Sequence, residues 1–136
     1  MIHGVIARLA CAAVVVSLFL AAFAVARAVI LSRAGRLAGR LPAFHRGLPG
    51  ILYFTTPDCV TCKAAQKPAL RALEEQLAGR IQVIEVDAVN RPDLARQWSV
   101  LSVPTTFILD TVGKPRQVNH GFASTAKLMG QLEKVS

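Results

Sequence analysis

The sequence predicts an α/β domain of element order βαβαββα, carried behind one N-terminal transmembrane helix. Three observations lead there. The apolar residues, 53% of this 136-residue chain, crowd toward its N-terminal end. From Ile51 onward, short β-branched and aromatic runs alternate with segments of helical apolar spacing. Two cysteines, Cys59 and Cys62, stand where the first of these strands turns into the first of these helices. The length leaves room for one domain of about 100 residues and a short appendage.

The apolar segment comes first. Between Leu9 and Ala26 the only polar residue is Ser17, and after Arg27 the apolar run resumes through Leu31. A helix over residues 9–31 reaches about 35 Å, enough for roughly 30 Å of hydrocarbon, with Arg27 near enough to one end to extend into the interface. The expected organisation is a tail at residues 1–8, a signal anchor at 9–31 in contact with membrane lipid, a basic juxtamembrane linker at 32–49 and the α/β domain at 50–136. The alternative is a cleaved signal peptide, because Ala24-Val25-Ala26 has the small-x-small pattern of a cleavage site.

Charge is as unevenly placed as hydropathy. Residues 1–49 hold six Arg and no Asp or Glu, whereas residues 50–136 hold ten Lys and Arg against eight Asp and Glu. Six of the eight net positive charges therefore belong to residues 1–49, around the apolar segment, the domain is nearly neutral, and no nucleic-acid partner is expected. One Arg precedes the segment, while Arg27, Arg33, Arg36, Arg40 and Arg46 end or follow it. The positive-inside rule then places the α/β domain in the cytoplasm, the alternative being an extracytoplasmic or periplasmic domain. Pro42, Pro49 and Gly50 close the linker.

Ile51 to Thr55 reads as a strand buried on both faces. Leu70, Leu73 and Leu77 mark the helix that follows, Gly79 ends it, and Pro68 is expected to bend it. Ile81 to Val86 reads as a second buried strand, parallel to the first. Asn90 is expected to start a short helix bearing Leu94 and Trp98, with Trp98 filling the core. Thr105 to Leu109, a turn over Asp110 to Gly113, and an exposed strand from Arg116 to His120 form a hairpin. Ser124 caps a last helix containing Leu128 and Leu132.

The cysteine pair carries the chemistry. At a helix start, free backbone N–H groups and the macrodipole favour negative charge, which makes Cys59 the acidic thiol and the nucleophile. Cys62, on the next turn, resolves the mixed disulfide. His45 and His120 are isolated and Cys11 lies in the apolar segment, so a second pair with metal-ligand spacing is missing and no metal site is expected.

Over residues 50–136 the chain resembles the thioredoxin family. The resemblance rests on Thr56-Pro57-Asp58-Cys59-Val60-Thr61-Cys62-Lys63, on Val86-Asp87, on Val103-Pro104-Thr105, and on Gly113 and Gly121. It implies a thioredoxin-like fold whose redox-active disulfide is Cys59–Cys62. It also implies a cis bond between Val103 and Pro104, with the Val103 backbone pairing to an extended substrate segment. Clients would be protein disulfides or dithiols, with electrons from a protein or small-thiol donor and no bound cofactor.

Departures from the family pattern bear on mechanism. Asp58 stands in place of the usual Trp and disfavours a neighbouring thiolate, while Thr61 can act in the opposite sense by donating a hydrogen bond. Tyr53 occupies the position of a buried Asp, and Glu85 that of its Lys partner. Glu85 either serves Cys62 as a base or simply faces outward, and Lys63 either stabilises a thiolate or is merely exposed. Two other functional classes fit the same residues: a metal-binding module and a redox-inert adaptor at the membrane.

Overall fold

The computed structural model describes residues 1–37, 41 and 43–136, with no account of the side chains of 34–37. Arg40 and Pro42, and the side chain of Arg36, lie outside the described residues. The chain forms two units, residues 1–30 and 31–136.

The first unit is occupied by α1 (Ile2–Leu37), a helix that runs on past residue 30. It is long and apolar enough to cross a membrane between Ile2 and Arg33, and the side chains of that apolar stretch are not buried by protein. Ser17 donates its hydroxyl to the carbonyl of Ala13 at 2.8 Å, which satisfies the polar group within the helix itself.

The second unit follows the predicted order: β1 (Gly50–Thr55), a π-helical turn (Cys62–Gln66) continuing into α2 (Lys67–Gln76), β2 (Gln82–Asp87), α3 (Pro92–Gln97), β3 (Thr105–Leu109), β4 (Pro115–His120) and α4 (Thr125–Glu133). The sheet order is β2-β1-β3-β4, with β1 and β2 parallel and the other neighbours antiparallel. Alternation along β1 divides the core. Ile51 and Tyr53 pack with Leu70, Leu73, Leu128 and Leu132 from α2 and α4. On the other face, Phe107 meets Phe54 edge-on at 6.1 Å and Trp98 at 5.0 Å. Each of these aromatic side chains gains about 2–3 kcal/mol from burial, which fixes Trp98 as core.

Four local expectations are corrected. Strand β2 is an edge strand, half exposed along most of its length, because only β1 pairs with it. Strand β4 is also at an edge, yet Pro115, Val118 and Asn119 are buried, with Asn119 exchanging two hydrogen bonds of 2.8 and 2.9 Å with Gln131 of α4. The cap of α3 is Arg91, since the Asn90 amide is engaged by the carboxylate of Asp87 at 2.9 Å. Pro68 sits in the first turn of α2, and the irregularity ahead of it is a π turn closed by the Lys67 N–H on the Cys62 carbonyl, where a proline ring and its missing donor disrupt α-type pairing.

The segment ahead of β1 is tied to the sheet. Gln82 accepts from the His45 N–H at 2.8 Å and donates to the carbonyls of His45 and Leu48 at 2.7 and 2.9 Å. Phe44 lies against Gly113, whose φ of +87° and lack of a side chain both suit the turn before β4.

Candidate active site

Parallel pairing of β1 with β2, and antiparallel pairing through β3 to β4, bring four connections to one end of the sheet. They are the loops after β1, after β2, before β3 and after β4. Cys59 and Cys62 come from the first, and Val103 and Pro104 from the third.

After Thr55 the chain turns at Pro57 and Asp58, and helical backbone begins at Val60. The Cys59 N–H donates to the Thr56 carbonyl at 3.2 Å, closing the turn that sets its sulfur at the helix start. Cys59 and Cys62 are joined as a disulfide, with their Cα atoms 5.2 Å apart. Cys62 is fully buried among Tyr53, Leu70 and Leu73, while Cys59 is partly exposed. The Cys62 N–H points at the Cys59 sulfur across 3.1 Å. A donor of this kind, at the positive end of a helix, stabilises charge on that sulfur once the bond is opened.

Val103 and Pro104 are joined by a cis peptide bond, as the resemblance implies. Pro104 is buried, and Val103 packs against the same cluster that holds Cys62. The Pro104 carbonyl accepts from the Gly121 N–H at 2.8 Å, and the Thr105 hydroxyl donates to the Ser102 carbonyl at 2.7 Å, so this loop is held on both sides.

The residues expected to tune the cysteines are placed less closely. Asp58, Thr61 and Lys63 are exposed. The Thr61 side chain makes no capping hydrogen bond to the helix. Glu85, beside Tyr53 on the α2 face of β2, directs its carboxylate to Lys67, 2.9 Å away, with half of its side chain exposed. Tyr53 is fully buried, and burial, against the opposing effect of Thr55, pushes its phenol up from the ordinary value. It is therefore neutral at physiological pH and is not an anionic base.

Two features were missed from sequence. Val60 and Leu101, in connections at this end of the sheet, are 77% and 96% exposed, and Val89 and Phe122 are also open to solvent. Val60 opens the helical turn, and Val89, Leu101 and Phe122 sit in loops, so no periodic pattern marks a shared face. The other is Gln66, fully buried four residues beyond Cys62. A polar residue among Cys62, Leu70 and Leu73 on one helical face was the available signal.

A family model for Thioredoxin matches residues 46–134. Thioredoxin 2 of Plasmodium berghei is 32% identical over 59 residues, covering 43% of this chain and 37% of that protein. Thioredoxin 1 of Nostoc sp. is 30% identical over 61 residues, covering 45% of this chain and 56% of that one. The chain thus spans less than two thirds of either relative. Among solved structures, thioredoxin-2, a component of malaria parasite protein secretion machinery, superposes with a TM-score of 0.60 at 28% identity, over 64% of this chain and 82% of the other. Chloroplastic thioredoxin z gives 0.62 at 25% identity, over 74% and 85%. With the family pattern running through 46–134 on a matching fold, the chain belongs to the thioredoxin family.

Proposed function

We propose that the protein exchanges a dithiol for a disulfide with protein clients, through Cys59 as nucleophile and Cys62 as resolver. The observation that carries this reading is the bonded Cys59–Cys62 pair at a helix start, with one sulfur accessible and the other buried. In the reduced protein the Cys59 thiolate attacks one sulfur of a client disulfide. A mixed disulfide forms, and the client's other sulfur leaves as a thiolate. Cys62 then loses its proton and attacks the Cys59 sulfur, re-forming Cys59–Cys62 and releasing the second client thiol. Two electrons and two protons pass to the client. A protein or small-thiol donor restores the dithiol, and the steps run backward when the client is more reducing. Both redox equivalents reside in the cysteine pair, so no bound cofactor is required.

Val103 and Pro104 form the groove for an extended client segment in this proposal, and of the candidate tuning residues Asp58, Thr61, Lys63 and Glu85, Asp58 acts by its charge next to Cys59 while Glu85 is engaged by Lys67. Helix α1 spans a membrane through residues 9–31, and the linker at 32–49 connects it to the exchange domain at 50–136, which faces the cytoplasm. The apolar, unburied surface of α1 and the five Arg that end or follow the apolar segment support that arrangement.

The test is thiol-driven reduction of insulin. The protein should accelerate it, and Cys59→Ser should return the rate to that of dithiothreitol alone. Equal rates for the two proteins would remove the proposal.

A further inference from the structure

We propose that Gln66 is a positioning residue that holds the cysteine turn against the substrate loop and thereby sets affinity for extended polypeptide disulfides. This rests on the thiol-exchange reading of the site. Gln66 ends the π turn that Cys62 begins, and both side chains are completely buried. Its amide is matched at both ends to one residue of the β4–α4 loop: Nε2 donates to the Ala123 carbonyl at 3.1 Å, and the Ala123 N–H donates to Oε1 at 2.9 Å. Two residues earlier in that loop, the Gly121 N–H donates to the Pro104 carbonyl at 2.8 Å. A short path of hydrogen bonds and three loop residues therefore connects the cysteine turn to the cis-proline loop.

The choice of residue is informative. A leucine at 66 would fill the same space without the cost of burying an amide, which is offset only when both its donor and its acceptor are used. What the amide adds is direction. A π turn carries one residue more than an α turn in the same advance, and relaxation to α pairing turns the preceding residues by roughly 100° about the axis. Pro68 already disfavours α pairing here, and pinning Gln66 to Ala123 fixes the direction in which the π turn faces, so Cys59 keeps one placement relative to Val103. An extended client must meet both at once, and small misplacements of a reacting group are costly.

The test uses the full-length protein in detergent, with two disulfides: a flexible peptide containing one disulfide, and hydroxyethyl disulfide, which is too small to fill the groove. For Gln66→Met, kcat/KM for the peptide should fall about tenfold, mainly through KM, while the rate with hydroxyethyl disulfide stays within about twofold. Thr125→Val removes a separate tie between α4 and α2, the Thr125 hydroxyl to the Ala69 carbonyl at 3.0 Å, and should leave peptide KM unchanged. If Gln66→Met folds poorly, Gln66→Leu, which likewise lacks both the donor and the acceptor for Ala123, carries the same comparison. Equal loss with both disulfides, no loss with either, or an equal rise in KM for Thr125→Val overturns the proposal. Wild-type protein inert toward both disulfides would instead defeat the thiol-exchange reading beneath it.

Discussion

The main-chain N–H of Cys62 donates to the sulfur of Cys59 at 3.1 Å, so the backbone of the buried cysteine supports the sulfur of the accessible one. The two thiols of the reduced protein are consequently unequal in both exposure and charge stabilisation. Iodoacetamide added near neutral pH should alkylate Cys59 at least about tenfold faster than Cys62. Peptide mapping by mass spectrometry reads the ratio, and equal labelling would contradict the assigned roles.

Asp58 precedes Cys59 and is exposed. In high dielectric its charge acts on the neighbouring sulfur with about 0.5–1 kcal/mol, which disfavours the thiolate. Asp58→Asn should therefore make the pair more oxidising by roughly 10–20 mV, measured by equilibration against glutathione. A shift toward more reducing potentials would show that Asp58 acts through something other than its charge.

Asp110 begins the turn between β3 and β4. Burial opposes its charge, but N–H groups of Lys114 and Val112 at 2.9 and 3.1 Å and the Arg116 guanidinium at 2.8 Å outweigh it and hold the carboxyl below its ordinary value. Asp110→Ala should cost about 2 kcal/mol of stability at neutral pH. Because the folded-state value is lowered, the contribution is fully present above the ordinary aspartate value of 3.8 and fades as pH falls through the folded one. Urea titrations should show the gap between wild type and variant closing below that pH. A gap independent of pH would mean that the carboxylate charge is irrelevant.

Orientation is tested in intact cells carrying a Cys11→Ala background. After an impermeant reductant, an impermeant maleimide should leave Cys59 unlabelled until the cells are lysed. Labelling before lysis reverses the orientation, and with it the weight given to the arginines after the apolar segment.

Most of the fold was legible because burial writes itself into local patterns. Residues 51–55, Leu70 with Leu73, and Leu128 with Leu132 show strand and helix periods that tertiary packing preserves. The cysteines and Pro104 were legible as motifs. Less visible were properties that depend on neighbours far away in sequence. Nothing local marks β2 as an edge strand, since that follows from which strand fails to pair with it. Gln66 meets Ala123 across 57 positions, and Gln82 reaches back 37 to His45. Such bonds satisfy buried or half-buried amides through topology alone. The exposed apolar residues escaped for a related reason: Val60 follows Cys59 at the helix start, Val89, Leu101 and Phe122 stand in three separate loops, and only the sheet order brings these connections to one end.

The clamp that Gln82 places on His45 and Leu48 has a mechanical consequence. Tension arriving along the chain from the N-terminal side is taken up at residues 44–48, where three side-chain amide bonds, the Gly47 N–H on the Thr111 carbonyl and the Phe44 ring share it before β1 feels any load. The force is thereby split between β2 and the β3–β4 turn, on either side of the strand that leads to the cysteines. A pull on the chain ahead of residue 44 would thus leave the spacing of Cys59 and Cys62 undisturbed.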